Sequence, residues 1–476
     1  MNLKQKVMSG LAWSASGRLL AQLITWCITI VIIRLLSPED YGLMALAGVF
    51  VAFLALLNEL GLGAAIVQRK HIDNSTLSSL FGLVLLVGTL FYLIMFFSAP
   101  LIAEFYNDHR LVSLVKVLAL EFMINSFAVI PRAQLLRDMK FRQIAIVDFS
   151  SAISGSVLTL ILALMGYGVW ALVWGTLTIR IISTLGFNIS QPIMYLPRIS
   201  MRGMKSFVIF GGYVTVGRIL WYLYSNADTL IIGKMLGKDL LGFYSVGLML
   251  ATMPMEKVSG IINQVAFPAF SSVQTDIELV GRHFLKAVRV MSFITFPVLW
   301  GISSISPEII QVFLSEKWLQ AVVPMQIIAL IIPLRMISNL MSTAVFGVGR
   351  ADVSFMLVVI PSALLPIAFF VGSHWGLLGV SLSWLLVFPF VFTLQILLTI
   401  RVLKVAFLSI FKAISMPLIS GAVMYGSVFF IRSLSTLDIN ILQMLLLIFS
   451  GALSYMIITL VINRFGLREV ANLVKN

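Results

Sequence analysis

Five basic residues stand inside long apolar runs: Arg18, Arg180, Arg218, Lys257 and Arg335. Glu59, Glu121, Asp148, Asp228 and Glu256 are the acids in the same position. A charge left facing hydrocarbon costs on the order of 2.5–3.5 kcal/mol, so each must line a protein interior or a watery cavity, snorkel to an interface, or be paired. At 1.5 Å per residue, Arg18 lies about 12 Å into its run and Arg218 about 16 Å. Arg335 is also mid-run, whereas Arg180 is within reach of the run's end. A guanidinium that lines a cavity suits an anionic group. Arg18, Arg180, Arg218 and Arg335 are therefore candidate substrate ligands, with snorkelling or a structural ion pair as the alternative at each.

The acids admit two chemistries. Glu121 and Asn125 are four apart and share a helix face. Glu59 follows Asn58, and Asn226 precedes Asp228 by two. Each group could take up a coupling H+ or Na+, because buried carboxylates accept protons readily, or could serve as counter-ion to an arginine. Glu256 and Lys257 are adjacent and suit a structural pair. Trp221, Tyr222 and Tyr224 lie close to Arg218, where stacking on a sugar ring competes with plain packing; Trp384 is expected among the belt and packing aromatics.

Other chemistry has no footing. Gly166-Tyr167-Gly168 is a hairpin turn and not a phosphate loop, and there is no Walker lysine motif. His71, His109, His283 and His374 are scattered without metal-ligand spacing. Neither a cofactor nor a catalytic residue is expected, and the chain is not expected to be an enzyme. Cys27, the one cysteine, lies in an apolar run and is expected as a small buried side chain.

The elements that must position these residues are membrane helices. The 476 residues are 60% hydrophobic and 11% charged, with a mean hydropathy of +1.04, where soluble surfaces need about a quarter charged. Apolar runs of spanning length recur over 10–33, 42–66, 77–99, 111–131, 145–165, 168–189, 207–233, 241–265, 286–306, 319–343, 353–373, 375–399, 411–431 and 440–462. That makes an all-α integral membrane protein of about 14 spans. The net charge of +14 belongs to its loops and not to a nucleic-acid partner. Twenty-one Lys and Arg fall in loops on the N-terminal side and seven in the opposite loops. This bias puts both termini in the cytoplasm and favours an even span count. Residues 132–142 (RAQLLRDMKFR) are basic and amphipathic, suited to an anionic lipid surface.

A repeat divides the chain. GRLLAQLITWCITIVIIRLLSPEDYG (17–42) returns as GRILWYLYSNADTLIIGKMLGKDLLG (217–242), matching Arg18 with Arg218, Arg34 with Lys234 and Gly42 with Gly242. A second echo, at offset 208, pairs Arg142 with Arg350 and Gly168 with Gly376. Such echoes mark two structural halves. The expected plan is a six-helix lobe over 1–189, a cytoplasmic linker over 190–206, a second six-helix lobe over 207–400, and two additional helices with a tail over 401–476.

RLLSPEDYGL (34–43), LGLGAAIVQRK (60–70), RAQLLRDMKF (132–141), NADTLIIGKMLG (226–237) and VAFPAFSSVQTD (265–276) resemble the bacterial polysaccharide transporter family. These are the Wzx-type flippases of the multidrug/oligosaccharidyl-lipid/polysaccharide exporter superfamily, and the similarity is strongest to colanic-acid and teichuronic-acid exporters. The resemblance implies a central cavity and alternating access in the bacterial inner membrane. It implies a polyprenyl-diphosphate-linked oligosaccharide as substrate, membrane lipids as surroundings and polysaccharide assembly machinery as a partner. It also likens the last two helices to the tail-groove helices of lipid II flippases. A lipid II flippase is the nearest alternative, but Arg18 is followed by Leu19-Leu20-Ala21 where those proteins usually carry an Arg-Asp pair and further arginine. A multidrug antiporter would have twelve spans and an acid-rich cavity.

Overall fold

The computed structural model describes residues 22, 24–58, 73–193, 196–198, 217, 219–435 and 439–462. All regular elements among them are helices. They form two compact units, one of residues 1–222 with 237–242, the other of residues 223–236 with 243–476. Ten of the described helices are long and apolar enough to cross a membrane. With no water in the hydrocarbon, helices meet the backbone's hydrogen-bonding needs within each segment.

The first unit begins with α1 (Ile24–Leu35) and α2 (Pro38–Asn58). A capping box opens α2: the Ser37 N–H donates to Asp40 Oδ2 at 2.9 Å, and the Asp40 N–H donates to Ser37 Oγ at 3.2 Å. Pro38 follows the cap, where its missing N–H costs nothing. Cys27, expected to be buried, is exposed on the apolar α1. Next come α3 (Asn74–Tyr106), α4 (Arg110–Leu118), α5 (Leu120–Ser126) and α6 (Val129–Arg137). The run read as one span over 111–131 is thus broken, with a 42° bend between Ser126 and Val129. Pro131 is the local reason, since a proline fits the first turn of a new helix and not the interior of a continuing one. The stretch 132–142 supplies the end of α6 and the turn beyond it; it is amphipathic, with Ala133 and Leu135 buried and Arg132 exposed. Then come α7 (Phe141–Leu164) and α8 (Val169–Ser190). Beyond them Arg198 donates its backbone N–H to the Ser78 carbonyl at 3.0 Å, and Ser78 Oγ donates to the Leu196 carbonyl at 2.7 Å. Gly82 leaves room for this strand of linker, since a Cβ there would strike the Arg198 backbone.

The second unit holds α9 (Ala227–Met235), most of α10 (Lys238–Ser272), α11 (Ile277–Ser304), α12 (Val322–Gly347), α13 (Ala351–Ser373), α14 (Gly376–Leu403), α15 (Phe407–Leu434) and α16 (Ile441–Ile462). A short π-helical and 3-10 passage over 310–321 joins α11 to α12. The α12 segment is the most enclosed, with 61% of its apolar window buried, and α16 the least, with 17%. The repeat is visible in the backbone. Gly168 (φ +55°) and Gly376 (φ +68°) turn the two short hairpins expected there, in the left-handed region that glycine tolerates. Asn107 (φ +55°) and Ser315 (φ +105°) share the same 208-residue offset.

The repeated segments also meet in the first unit. A Cβ on Gly42 would collide with the Lys238 carbonyl, and a Cβ on Gly242 with the Pro38 carbonyl. Around this crossing runs a closed ring of four charges. Arg110 bonds Glu39 at 2.6 Å and Asp108 at 2.8 Å; Lys238 bonds Asp108 at 2.6 Å and Glu39 at 2.9 Å. Hydrogen bonds from Arg110, then from Lys238, hold the Asp108 carboxyl well below the usual carboxylate range.

Two predictions follow from the crossing and its ring. Replacing Gly42 by leucine forces the two backbones apart and is expected to cost at least about 2 kcal/mol, by the scale of overpacked sites; a fall in melting temperature and in yield of the purified protein reads it. Asp108→Asn is expected to lower thermal stability at pH 7 by about 1 kcal/mol, as for an exposed charge network. A depressed carboxylate adds stability above its unfolded pKa, so the gap between wild type and variant begins to close below about pH 4 and vanishes only below the lowered folded value. Melting curves from pH 7 to pH 3 check it, and a gap constant with pH contradicts it.

Candidate functional site

In the first unit, α2, α4, α5, α8 and the start of the second repeat copy enclose a pocket of about 420 Å³. Gly48, Ala52 and Ala55 line it from α2, at spacings that keep them on one helix face. Glu121 and Arg180 face each other across it, with Nε 3.5 Å from Oε2. Glu121 is 7% exposed, whereas the Arg180 side chain is 45% exposed. Arg180 thus does not stand alone, and Glu121 acts as its counter-ion. Asn125, one turn beyond Glu121, is half-buried and outside the lining. Trp221 contributes an indole that is 42% exposed. Its neighbour Tyr222 is packed: it is buried and donates its hydroxyl to the Val49 carbonyl at 2.6 Å.

In the second unit, Arg335 sits on α12 with its Cζ 4.2 Å from the centre of the Trp384 ring. Cation–π stacking of this kind is strengthened where water is scarce. Trp384, on α14, is fully buried between Phe369 and Phe388. Its Nε1–H donates to Asp228 Oδ2 at 3.1 Å. The Tyr244 hydroxyl donates to the same oxygen at 2.5 Å, and the Thr229 N–H to Oδ1 at 2.7 Å. Asp228 is therefore a fully satisfied buried carboxylate surrounded by donors, which a cation does not seek. Arg335 is half-buried, and among the described residues no carboxylate reaches ion-pair distance of it and no hydrogen bond engages its guanidinium. One turn along α12, Ser338 donates to Gln395 Oε1 at 2.7 Å, and Gln395 Nε2 donates to the Leu357 carbonyl at 2.7 Å. These bonds fix α12, α13 and α14 around the cation.

Also in the second unit, α11, α15 and α16 form an apolar groove of about 550 Å³. Phe293, Pro297, Met424, Leu447 and Tyr455 line it. Ser304 lines it too, and its carbonyl accepts from Arg432, whose guanidinium holds the buried Glu308 by two bonds of 2.7 Å.

Of the candidates read from sequence, Arg18, Arg218 and Glu59 lie outside the described residues. Arg180 and Glu121 come together in the first unit, Arg335 and Asp228 near each other in the second. Sequence reasoning missed Tyr244 and the stacking role of Trp384. A tyrosine and a tryptophan in apolar runs carry no signal of their own; only a carboxylate needing donors could have pointed to them. It also missed the Glu308–Arg432 pair, whose members stood in loops.

Residues 31–323, more than half of the chain, match the family model described as polysaccharide biosynthesis protein. The lipopolysaccharide biosynthesis protein WzxC of Escherichia coli (strain K12) is 28% identical over 390 residues, covering 81% of this chain and 79% of the relative. The teichuronic acid biosynthesis protein TuaB of Bacillus subtilis (strain 168) is 26% identical, covering 96% and 95%. Among solved structures, the lipid II flippase MurJ in an inward closed conformation superposes with a TM-score of 0.73 at 15% identity, covering 95% of this chain and 99% of that one. An inward-facing multidrug resistance MATE transporter of the MOP superfamily follows with a TM-score of 0.63 at 16% identity, covering 82% and 96%. These two likenesses establish the fold, that of a multi-pass membrane protein, and the matched model places the chain in the polysaccharide biosynthesis protein family.

Proposed function

We propose that this chain is a flippase that moves polyprenyl-diphosphate-linked oligosaccharide from the cytoplasmic to the periplasmic leaflet of the bacterial inner membrane. The observation that carries the reading is Arg335, an intramembrane guanidinium stacked on Trp384 with its hydrogen-bond donors unused among the described residues. A diphosphate supplies the acceptors that such a group lacks. The groove of α11, α15 and α16 supports the same reading, because a polyprenyl tail needs apolar cover while its head group moves. Arg18 and Arg218 belong to the proposal through their equivalent places in the repeat; Arg180, paired with Glu121, belongs to it as a contact to the glycan and not to the diphosphate. Outward movement of an anion is helped by an inside-negative potential, by about 2.3 kcal/mol per charge per 100 mV. H+ coupling falls to Glu59 or Glu121, and Na+ coupling to these with Asn125 or Asn226 as amide-oxygen ligands, since Asp228 is closed in by donors. Polysaccharide assembly enzymes are the expected partners on the far side, and both termini lie in the cytoplasm.

Deleting the gene in its host is expected to accumulate lipid-linked oligosaccharide in the cytoplasmic leaflet, and wild type to reverse this. Arg335→Ala is expected to lower export at least about tenfold, since a hydrogen bond to a charged group is worth about 1.5–3 kcal/mol. Arg335→Lys retains part of it. Full export by correctly expressed Arg335→Ala removes this residue from the site; absence of accumulation in the deletion strain removes the function. A fluorescent protein fused to the C-terminus is expected to fluoresce and an alkaline phosphatase fused there to stay inactive; the reverse overturns the orientation.

A further inference from the structure

We propose that the pocket of the first unit binds a monosaccharide ring of the exported glycan, with Trp221 as its stacking platform. The inference rests on the export reading and adds which part of the substrate this pocket takes. Charge argues first. Arg180 is compensated by Glu121 at 3.5 Å, so the pocket offers a donor and an acceptor but no net charge. A diphosphate needs a cation with its hydrogen-bond donors free, which the second unit has at Arg335 and this pocket does not. Sugar hydroxyls need the opposite: paired donors and acceptors close together and neutral as a set.

Shape and surface agree. The α2 side is stripped to Gly48, Ala52 and Ala55, and a Cβ on Gly48 would meet nothing within 4 Å. The concavity is therefore open at Gly48 and does not exist to let another helix approach, in contrast to Gly42 and Gly82. Its volume of about 420 Å³ falls in the range of small-molecule sites, about 300–1,000 Å³. Tyr222 has spent its hydroxyl on Val49, while Trp221 keeps 42% of its surface free. An indole face against the axial C–H face of a pyranose gains dispersion and displaces poorly bound water. Glu121 and Arg180 then stand where hydroxyls at the ring edge can pair with them.

The test uses the full-length protein in lipid nanodiscs and saturation-transfer difference NMR. The probes are the methyl glycosides of glucose, galactose, N-acetylglucosamine, fucose and glucuronic acid. At least one is expected to show transfer to its ring C–H protons. That signal is expected to fall at least about fivefold in Trp221→Ala, in keeping with the worth of an aromatic contact, and less in Trp221→Phe. Gly48→Leu adds a side chain whose Cβ meets nothing within 4 Å and whose remainder enters the pocket, so it is expected to abolish the signal with the melting temperature little changed; it serves even if Trp221→Ala does not fold. Inorganic pyrophosphate is expected to leave the signal in place. The proposal is overturned if no glycoside gives a signal, if the signal survives Gly48→Leu, or if pyrophosphate displaces it. Any of these results alongside accumulation in the deletion strain strikes the pocket alone, whereas a deletion strain without accumulation strikes the export reading whatever the spectra show.

Discussion

A polar group among apolar helices must find its partner inside the protein, because lipid offers none. That constraint orders both units. Asp228 gathers Tyr244, Trp384 and the Thr229 amide, and so ties α9, α10 and α14 together. Glu121 reaches Arg180 and ties α5 to α8. Glu308 takes both arms of Arg432 and ties the end of α15 to the segment after α11. Such pairs add little net stability against an apolar replacement of the same shape, but they fix how each helix is rotated about its axis. Once the acids have their hydrogen-bond donors, Arg335 is left as a cation with a platform and no carboxylate at ion-pair distance among the described residues, and its availability is a product of how the others are bonded.

The two units thereby differ in chemistry. One presents a neutral donor–acceptor couple beside an exposed indole. The other presents a cation, with an apolar groove on its far helices. A lipid-linked glycan has the corresponding parts: neutral rings, an anionic bridge and a hydrocarbon tail. No one part of the protein has to bind all three, which suits a carrier that must release what it binds.

Much of this was legible in the sequence, and the limits have a physical cause. Apolar runs, the loop charge bias and the repeat declare themselves because length and composition decide them. The hairpins at Gly168 and Gly376 were legible because a positive φ selects glycine. The broken segment near Pro131 carried its signal in the proline, although its length read as a single span. Arg180 and Glu121 were both singled out, but not as partners, since 59 positions of chain separate them and only helix rotation brings them together. Tyr244 and the buried setting of Trp384 depend wholly on tertiary packing. The groove of α11, α15 and α16 is likewise a property of three helices and of no single one.

The crossing at Gly42 and Gly242 has the form of an isologous interface: position 42 of one segment meets position 38 of the other copy, and 242 meets 38 in return. The contact is thus a local pseudo-twofold one, made within the first unit by two segments of one polypeptide. Two copies within one polypeptide need not carry the same residue at equivalent places. A symmetric dimer must place the same residue at both ends of such a contact, whereas this chain has proline at one end and lysine at the other. The lysine enters the ring with Glu39, Asp108 and Arg110, whereas the proline at the other end has no charge to build a second ring.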